Sequence, residues 1–173
     1  MADNRIQQKL WGSFSGLGLA LGVFAFAVDQ LHKWWMIHVY DIGSKGTVEI
    51  TSFLNLVMLW NPGISYGLLQ QDGFWGRSVL IVFALIAVVV MIYWLAQCES
   101  TRGAAALGLI IGGALGNVVD RLIYGAVADF FSFHAFGFYW YIFNIADVAI
   151  VAGVAGLLYD FIFHGRKKVS NAS

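Results

Sequence analysis

The chain has 173 residues, of which 60% are hydrophobic and 12% charged, and its mean hydropathy is +0.74. Ten basic and ten acidic side chains cancel to a formal net charge of zero. A soluble domain this size needs more polar surface, and a nucleic-acid-binding one needs a basic surplus. Both are excluded, which leaves an integral membrane protein with no nucleic-acid partner.

A helix needs about 20 apolar residues to cross a bilayer, and four segments qualify. The first, about residues 11–34, follows Arg5 and Lys9 and carries Asp29 and Lys33 in its last turns. It runs uncharged from Leu10 to Val28 and has no convincing small-residue cleavage site before Asp29, so a retained span is expected rather than a secretion signal. In the loop at 35–73, residues 47–60 (TVEITSFLNLVMLW) are rich in β-branched and aromatic residues, and Asn61-Pro62-Gly63 supplies a turn. A short strand or hairpin on the membrane surface is expected there. The second span covers about 74–96 and has no charge from Ser78 to Gln97. Cys98, the single cysteine, cannot form an internal disulfide.

The third span, about 103–122, contains GLIIGGALG at 108–116. With no Lys-Ser/Thr after it, this run reads as close helix packing through small residues rather than a nucleotide loop. The loop at 123–142 is too aromatic for water and is expected to dip into the interface. The fourth span covers about 143–163. The expected fold is an all-α membrane protein: four transmembrane helices, a small extracytoplasmic β-rich segment and an interfacial loop, in one domain over 1–173.

Arg5, Lys9, Arg102, Arg166, Lys167 and Lys168 make one side the more basic in its short flanks. Both termini are therefore expected in the cytoplasm, with both long loops outside. Trp34, Trp35, Trp75, Trp140 and Tyr141 fall near the outer boundary, where amphipathic rings prefer to lie.

Ionisable residues at membrane depth are costly and mark function by default. Asp29 and Lys33 have the spacing of an i,i+4 pair, which favours a supporting role. Asn117, Asp120 and Arg121 share the outer end of the third span. Arg121 is expected to anchor at head groups and Asp120 to pair with Lys33. Asn144 and Asp147 lie three apart at the start of the fourth span.

Asp129 and Asp147 have no basic residue within four positions. Two carboxyls at one depth can share a proton, as aspartyl proteolysis requires. On these residues alone, catalysis and hydrogen bonding between helices both remain open. A serine–lysine site from Ser52 or Ser65 with Lys33 has no supporting spacing. A channel with a proton path through Asp29, Asp120, Asp129 and Asp147 would need carboxylates across the bilayer, yet these gather on one side. A purely structural subunit is the third alternative.

Four blocks carry a family likeness: DQLHKW at 29–34, FLNLVMLWNPGISYG at 53–67, GGALGNVVDRLIYGAVADFFSF at 112–133 and FNIADVAI at 143–150. Over nearly its whole length the chain resembles the lipoprotein (type II) signal peptidases. The resemblance implies an aspartyl endopeptidase of the bacterial cytoplasmic membrane, with Asp129 and Asp147 catalytic. Asp29, Lys33, Asn61, Asn117, Asp120, Arg121 and Asn144 would position substrate and support the site. Its substrate would be a prolipoprotein bearing a diacylglyceryl cysteine, held among membrane lipids and cut before that cysteine, without metal or organic cofactor. Ile64-Ser65-Tyr66 departs from the small-small-Phe sequence of many relatives.

Overall fold

The computed structural model describes residues 11–63 and 74–170. Arg5, Lys9 and the Ile64-Ser65-Tyr66 departure lie outside the described residues, as do the side chains of Arg166, Lys167 and Lys168. In chain order the elements are α1 (Ser15–His38), the short α2 (Ile42–Lys45), β1 (Val48–Thr51), β2 (Leu54–Asn61), α3 (Phe74–Ala96), α4 (Thr101–Ile123), β3 (Val127–Ala135), β4 (Phe138–Phe143) and α5 (Ile145–Ser170). Among the described residues, four helices are long and apolar enough to cross a membrane: Ser15–His38, Trp75–Ala96, Thr101–Ile123 and Ile145–Phe163.

The first span lies four residues later than expected at both ends. Lys33 does not end α1, because its charge is neutralised within the protein by Asp29 and Asp120. Helix α4 packs against α1, α3 and α5. It starts at Ser100, whose Oγ accepts the Gly103 N–H at 3.2 Å.

Small residues let these backbones touch. A Cβ on Gly108 would meet the Gly18 carbonyl oxygen, and one on Gly112 the Gly22 carbonyl oxygen. A Cβ on Gly113 would lie 2.5 Å from the Ala146 oxygen of α5. The expected role of the 108–116 run is thus its role in the fold. Gly112→Val should lower stability by roughly 1–3 kcal/mol, because backbone cannot yield as a side chain tip does. Gly16→Ala, with nothing within 4 Å of its Cβ, should be neutral or slightly stabilising. Thermal melts in detergent compare the two, and equal melting temperatures would contradict this packing.

The strands form one antiparallel sheet in the order β1-β2-β3-β4. The segment at 47–60 makes the expected hairpin, but it reverses at Ser52 and Phe53, and Asn61 instead ends β2. The loop expected at the interface, 123–142, has regular structure of its own. It is a second hairpin, β3–β4, turned at Phe136 and Gly137, which have φ of 53° and 79°. All-α is therefore corrected to four helices plus a four-stranded sheet. The sheet sits on one end of α1, where Met36, Ile42, Ala128 and Phe130 form a buried cluster. Trp34, Trp35, Trp75 and Trp140 are exposed, as a lipid-facing belt requires, whereas Tyr141 turns partly inward.

Two bulges re-aim side chains near this end. Between the pairs Leu56↔Phe131 and Leu59↔Asp129, β2 carries one residue more than β3. Between Ser132↔Ile142 and His134↔Tyr139, β4 carries one more than β3. Strand β4 ends at Phe143, opposite Phe131, so α5 begins where a partner for Asp129 would otherwise stand.

Candidate active site

The chain turning from β4 into α5 brings Asn144 against β3. Its Nδ2 donates to Asp129 Oδ1 at 2.6 Å and to Asn117 Oδ1 at 3.3 Å. Asn144 also caps α5 reciprocally with Asp147. Its Oδ1 accepts the Asp147 N–H at 3.0 Å, and its own N–H donates to Asp147 Oδ2 at 3.2 Å. One buried residue therefore holds both carboxyl groups. Asn117 Nδ2 from α4 donates to Asp147 Oδ1 at 3.0 Å. Asn61, a diagonal same-face neighbour of Asp129 across the β2–β3 pair, donates Nδ2 to Asp129 Oδ2 at 3.1 Å.

Behind this pair lies Lys33, 2% exposed. Its Nζ is 2.9 Å from Asp29 Oδ2 and 2.8 Å from Asp120 Oδ2, and it donates to Asn117 Oδ1 at 3.2 Å. Three ammonium hydrogens thus meet three acceptors. Each supporting carboxylate also holds backbone. Asp29 Oδ1 accepts the Ala146 N–H at 2.9 Å, placing a negative charge at the positive end of the α5 dipole. Asp120 Oδ2 accepts the Ala128 N–H at 3.1 Å, fixing the residue before Asp129. The expected Asp29–Lys33 and Lys33–Asp120 pairs are both present.

Arg121 does not simply reach for head groups. Its Nη2 donates to the Gly63 carbonyl at 2.8 Å and its Nη1 to the Asn117 carbonyl at 3.2 Å, tying α4 to the end of β2. Both sequence distance and the hidden Gly63 acceptor conceal that role. All nine predicted site residues gather at one end of the bundle.

Two further participants, Gln30 and Tyr141, escaped sequence reasoning. Gln30 Nε2 bridges Asp29 at 3.2 Å and Asp120 at 3.1 Å, and a polar residue at membrane depth beside Asp29 was the available signal. Tyr141 OH accepts from Asn61 Nδ2 at 2.8 Å. At the opposite end, Asp160 accepts from Ser100 Oγ at 3.0 Å. About 20 Å of helix free of carboxylates separates it from Asp147, which argues against a carboxylate proton path through α5.

A groove of about 560 Å³ runs along α5 from the carboxyl pair, lined by Tyr141, Phe143, Asp147, Val148, Val151 and Ala155 among others. Asp147 faces it from a half-buried position, while Asp129 is fully buried behind. Among the described residues no three His, Cys, Asp or Glu side chains form a candidate metal site.

Burial, reinforced by the neighbouring Asp147 carboxylate, pushes the Asp129 carboxyl up to about 7. The Asn61 and Asn144 hydrogen bonds and the Lys33 charge oppose this rise. Well below pH 3.8 the folded and unfolded chains both hold this proton. As pH rises from 3.8 towards 7 the unfolded chain ionises first, the folded state binds more protons, and stability falls. The loss from this one group is on the order of 4 kcal/mol and levels off above its folded value. Melts in detergent from about pH 4.5 to about pH 8 should show Asp129→Asn gaining on the unsubstituted protein as pH rises. A constant difference across that range would contradict the raised carboxyl.

The chain that folds in this way has relatives among known proteins. The model of the signal peptidase (SPase) II family matches residues 21–163. The chain belongs to the signal peptidase II family. Among its relatives is a lipoprotein signal peptidase of Methylocella silvestris, 49% identical over 87% of this chain and 88% of the relative. Others are from Nitrobacter hamburgensis, 48% identical, and Rhodopseudomonas palustris strain TIE-1, 47% identical, each over 83% of this chain and 90% of the relative. Two solved structures, both described as bacterial membrane enzymes determined by the in meso method, share the fold. One has a TM-score of 0.76 at 27% identity, covering 95% of each chain. The other has a TM-score of 0.74 at 25% identity, covering 90% of this chain and 97% of that one. As a signal peptidase II homologue, the chain is a multi-pass bacterial membrane protease with a prolipoprotein substrate.

Proposed function

We propose that this chain is a membrane-embedded aspartyl endopeptidase in which Asp129 and Asp147 together remove the signal peptide from diacylglyceryl-modified prolipoproteins. The bond cut is the one before the lipidated cysteine. The observation that carries this is the attachment of both carboxyls to Asn144 at the head of the α5 groove. The apolar signal peptide lies along the groove, and the diacylglyceryl chains stay among the membrane lipids. Binding of this kind turns a chance encounter into an oriented one.

One carboxyl of the pair is ionised and the other holds a proton. The ionised one takes a proton from water as its oxygen attacks the scissile carbonyl carbon, and the protonated one gives its proton to the carbonyl oxygen. Collapse of the tetrahedral intermediate returns that proton, breaks the C–N bond and delivers the water-derived proton to the leaving cysteine nitrogen. Asn117 and Asn144 hold the carboxyls, Asn61 orients Asp129, and Lys33, Asp29, Asp120 and Arg121 hold the frame. The chain's own side chains carry every step, and neither metal nor organic cofactor is required.

The purified protein should cut a diacylglyceryl-modified prolipoprotein and leave the unlipidated form intact. Equal cleavage of both would remove the lipid from substrate recognition.

We also place both termini in the cytoplasm and the active site near the outer face, from the basic residues flanking the opposite ends of the helices. With Cys98 replaced by Ser, Glu49→Cys should react with an impermeant maleimide added outside spheroplasts. Thr101→Cys should react only after permeabilisation. The reverse pattern would invert the protein in the membrane.

A further inference from the structure

We propose that Tyr141 is a positioning residue of the proteolytic site, whose hydroxyl aims the Asn61 amide at Asp129 while its ring walls the groove beside Asp147. This rests on the aspartyl-protease reading above.

The terminal torsion of an asparagine side chain is broad, so hydrogen bonds must fix the direction of its amide. Asn61 is pinned at three points. Its Oδ1 accepts the Gly63 N–H at 3.1 Å, and its Nδ2 donates to Asp129 Oδ2 at 3.1 Å and to Tyr141 OH at 2.8 Å. An amide nitrogen carries two hydrogens, so both donations can be made together. The Tyr141 contact is the shorter and anchors the amide on the side away from Asp129.

The backbone explains why a residue of an aromatic edge strand arrives there. The extra β4 residue between Ile142 and Tyr139 falls at Trp140 and Tyr141. A bulge at that point allows Tyr141 to leave the belt that Trp140 keeps. The same ring lines the groove next to Asp147 and Phe143. Tyr141 therefore touches the space assigned to substrate on one side and the bond that orients Asp129 on the other.

The hydroxyl and the ring separate experimentally. Tyr141→Phe keeps the wall and removes the acceptor. It should lower kcat about 5–20-fold with KM within about twofold, the size expected for losing one neutral hydrogen bond in the transition state. Tyr141→Ala removes the wall too and should also raise KM several-fold.

The acidic limb of the pH–rate profile reports the carboxyl pair. In Tyr141→Phe it should move upward, since a poorly aimed Asn61 stabilises the ionised Asp129 less. The groups around Asp129 that keep their identity in this variant are Asp147 from α5, Lys33 and Asp29 from α1, and Asp120 and Arg121 from α4. If Tyr141→Phe melts too low to assay, 3-fluorotyrosine at position 141, a weaker acceptor, should still lower kcat and shift the limb in the same direction. Asp129→Asn is assayed alongside. Turnover by that variant would remove the protease assignment itself. Wild-type kcat and limb in Tyr141→Phe, or in the fluorotyrosine protein where Phe does not fold, would overturn the role of Tyr141 alone.

Discussion

Replacing Lys33 with Met should cost the folded protein about 3–5 kcal/mol, the largest stability loss expected from any single surface-free polar residue here. Met fills similar volume but leaves two buried carboxylates, Asp29 and Asp120, without their shared cation. Asn117 Oδ1 would lose a donor as well. The damage would reach the carboxyl pair through backbone, since Asp29 holds Ala146 beside Asp147 and Asp120 holds Ala128 beside Asp129.

Asp120→Asn should cost less, roughly 1–3 kcal/mol, because Asp29 still balances Lys33 and an amide oxygen can still accept from Ala128. Combining Lys33→Met with Asp120→Asn should recover part of the Lys33→Met loss, because one uncompensated charge goes with its partner. Melting in detergent and folded yield measure both effects. A Lys33→Met protein as stable as the unsubstituted one would mean the ion cluster contributes nothing to the frame.

Asp129→Asn and Asp147→Asn should each lower cleavage by about 10³–10⁴-fold while the protein stays folded. Asn keeps the shape and one acceptor oxygen but neither takes nor gives the proton that the reaction moves. At Asp129 the substitution also removes a buried charge that is costly near neutral pH. The oxygen facing Asn144 can be kept, and the Asn61 amide retains Tyr141 as an acceptor. At Asp147 an amide oxygen can still accept from Asn117 or from the Asn144 backbone. The two carboxyls act as a unit, so the double variant should be scarcely slower than either single one. A double variant slower by the product of the two single effects would mean that the residues act independently.

The parts of this structure readable in the sequence are those governed by large local costs. The second span, about 74–96, matches the helix Phe74–Ala96 because a pure apolar run has only one solution in lipid. Asp129 and Asp147 stood out because unpaired carboxyls among aromatics demand an explanation. Asp29, Lys33 and Asp120 could be paired on paper from helix spacing and depth.

Features set by distant pairing were not readable. The segment GAVADFFSFHAFGFYWYIF is apolar almost throughout and lacks clean alternation. Its strands emerge only from the pairing of β3 with β2, Leu59 opposite Asp129. The bulges that bring Asn61 and Tyr141 together leave no mark in composition. Lys33 hid the true end of α1, since a charge in sequence looks like a boundary until its partners from α4 are known. Arg121 looked like an interfacial anchor because its acceptor, the Gly63 carbonyl, lies 58 residues away.

The most direct test is a cleavage reaction with purified unsubstituted, Asp129→Asn and Asp147→Asn proteins, each checked by thermal melt. The substrate is a diacylglyceryl-modified prolipoprotein, and products are read by mass spectrometry. The unsubstituted protein should release an intact signal peptide and leave the lipidated cysteine as the new N-terminus, and both folded variants should leave the substrate whole. Substantial turnover by either folded variant would contradict the aspartyl pair.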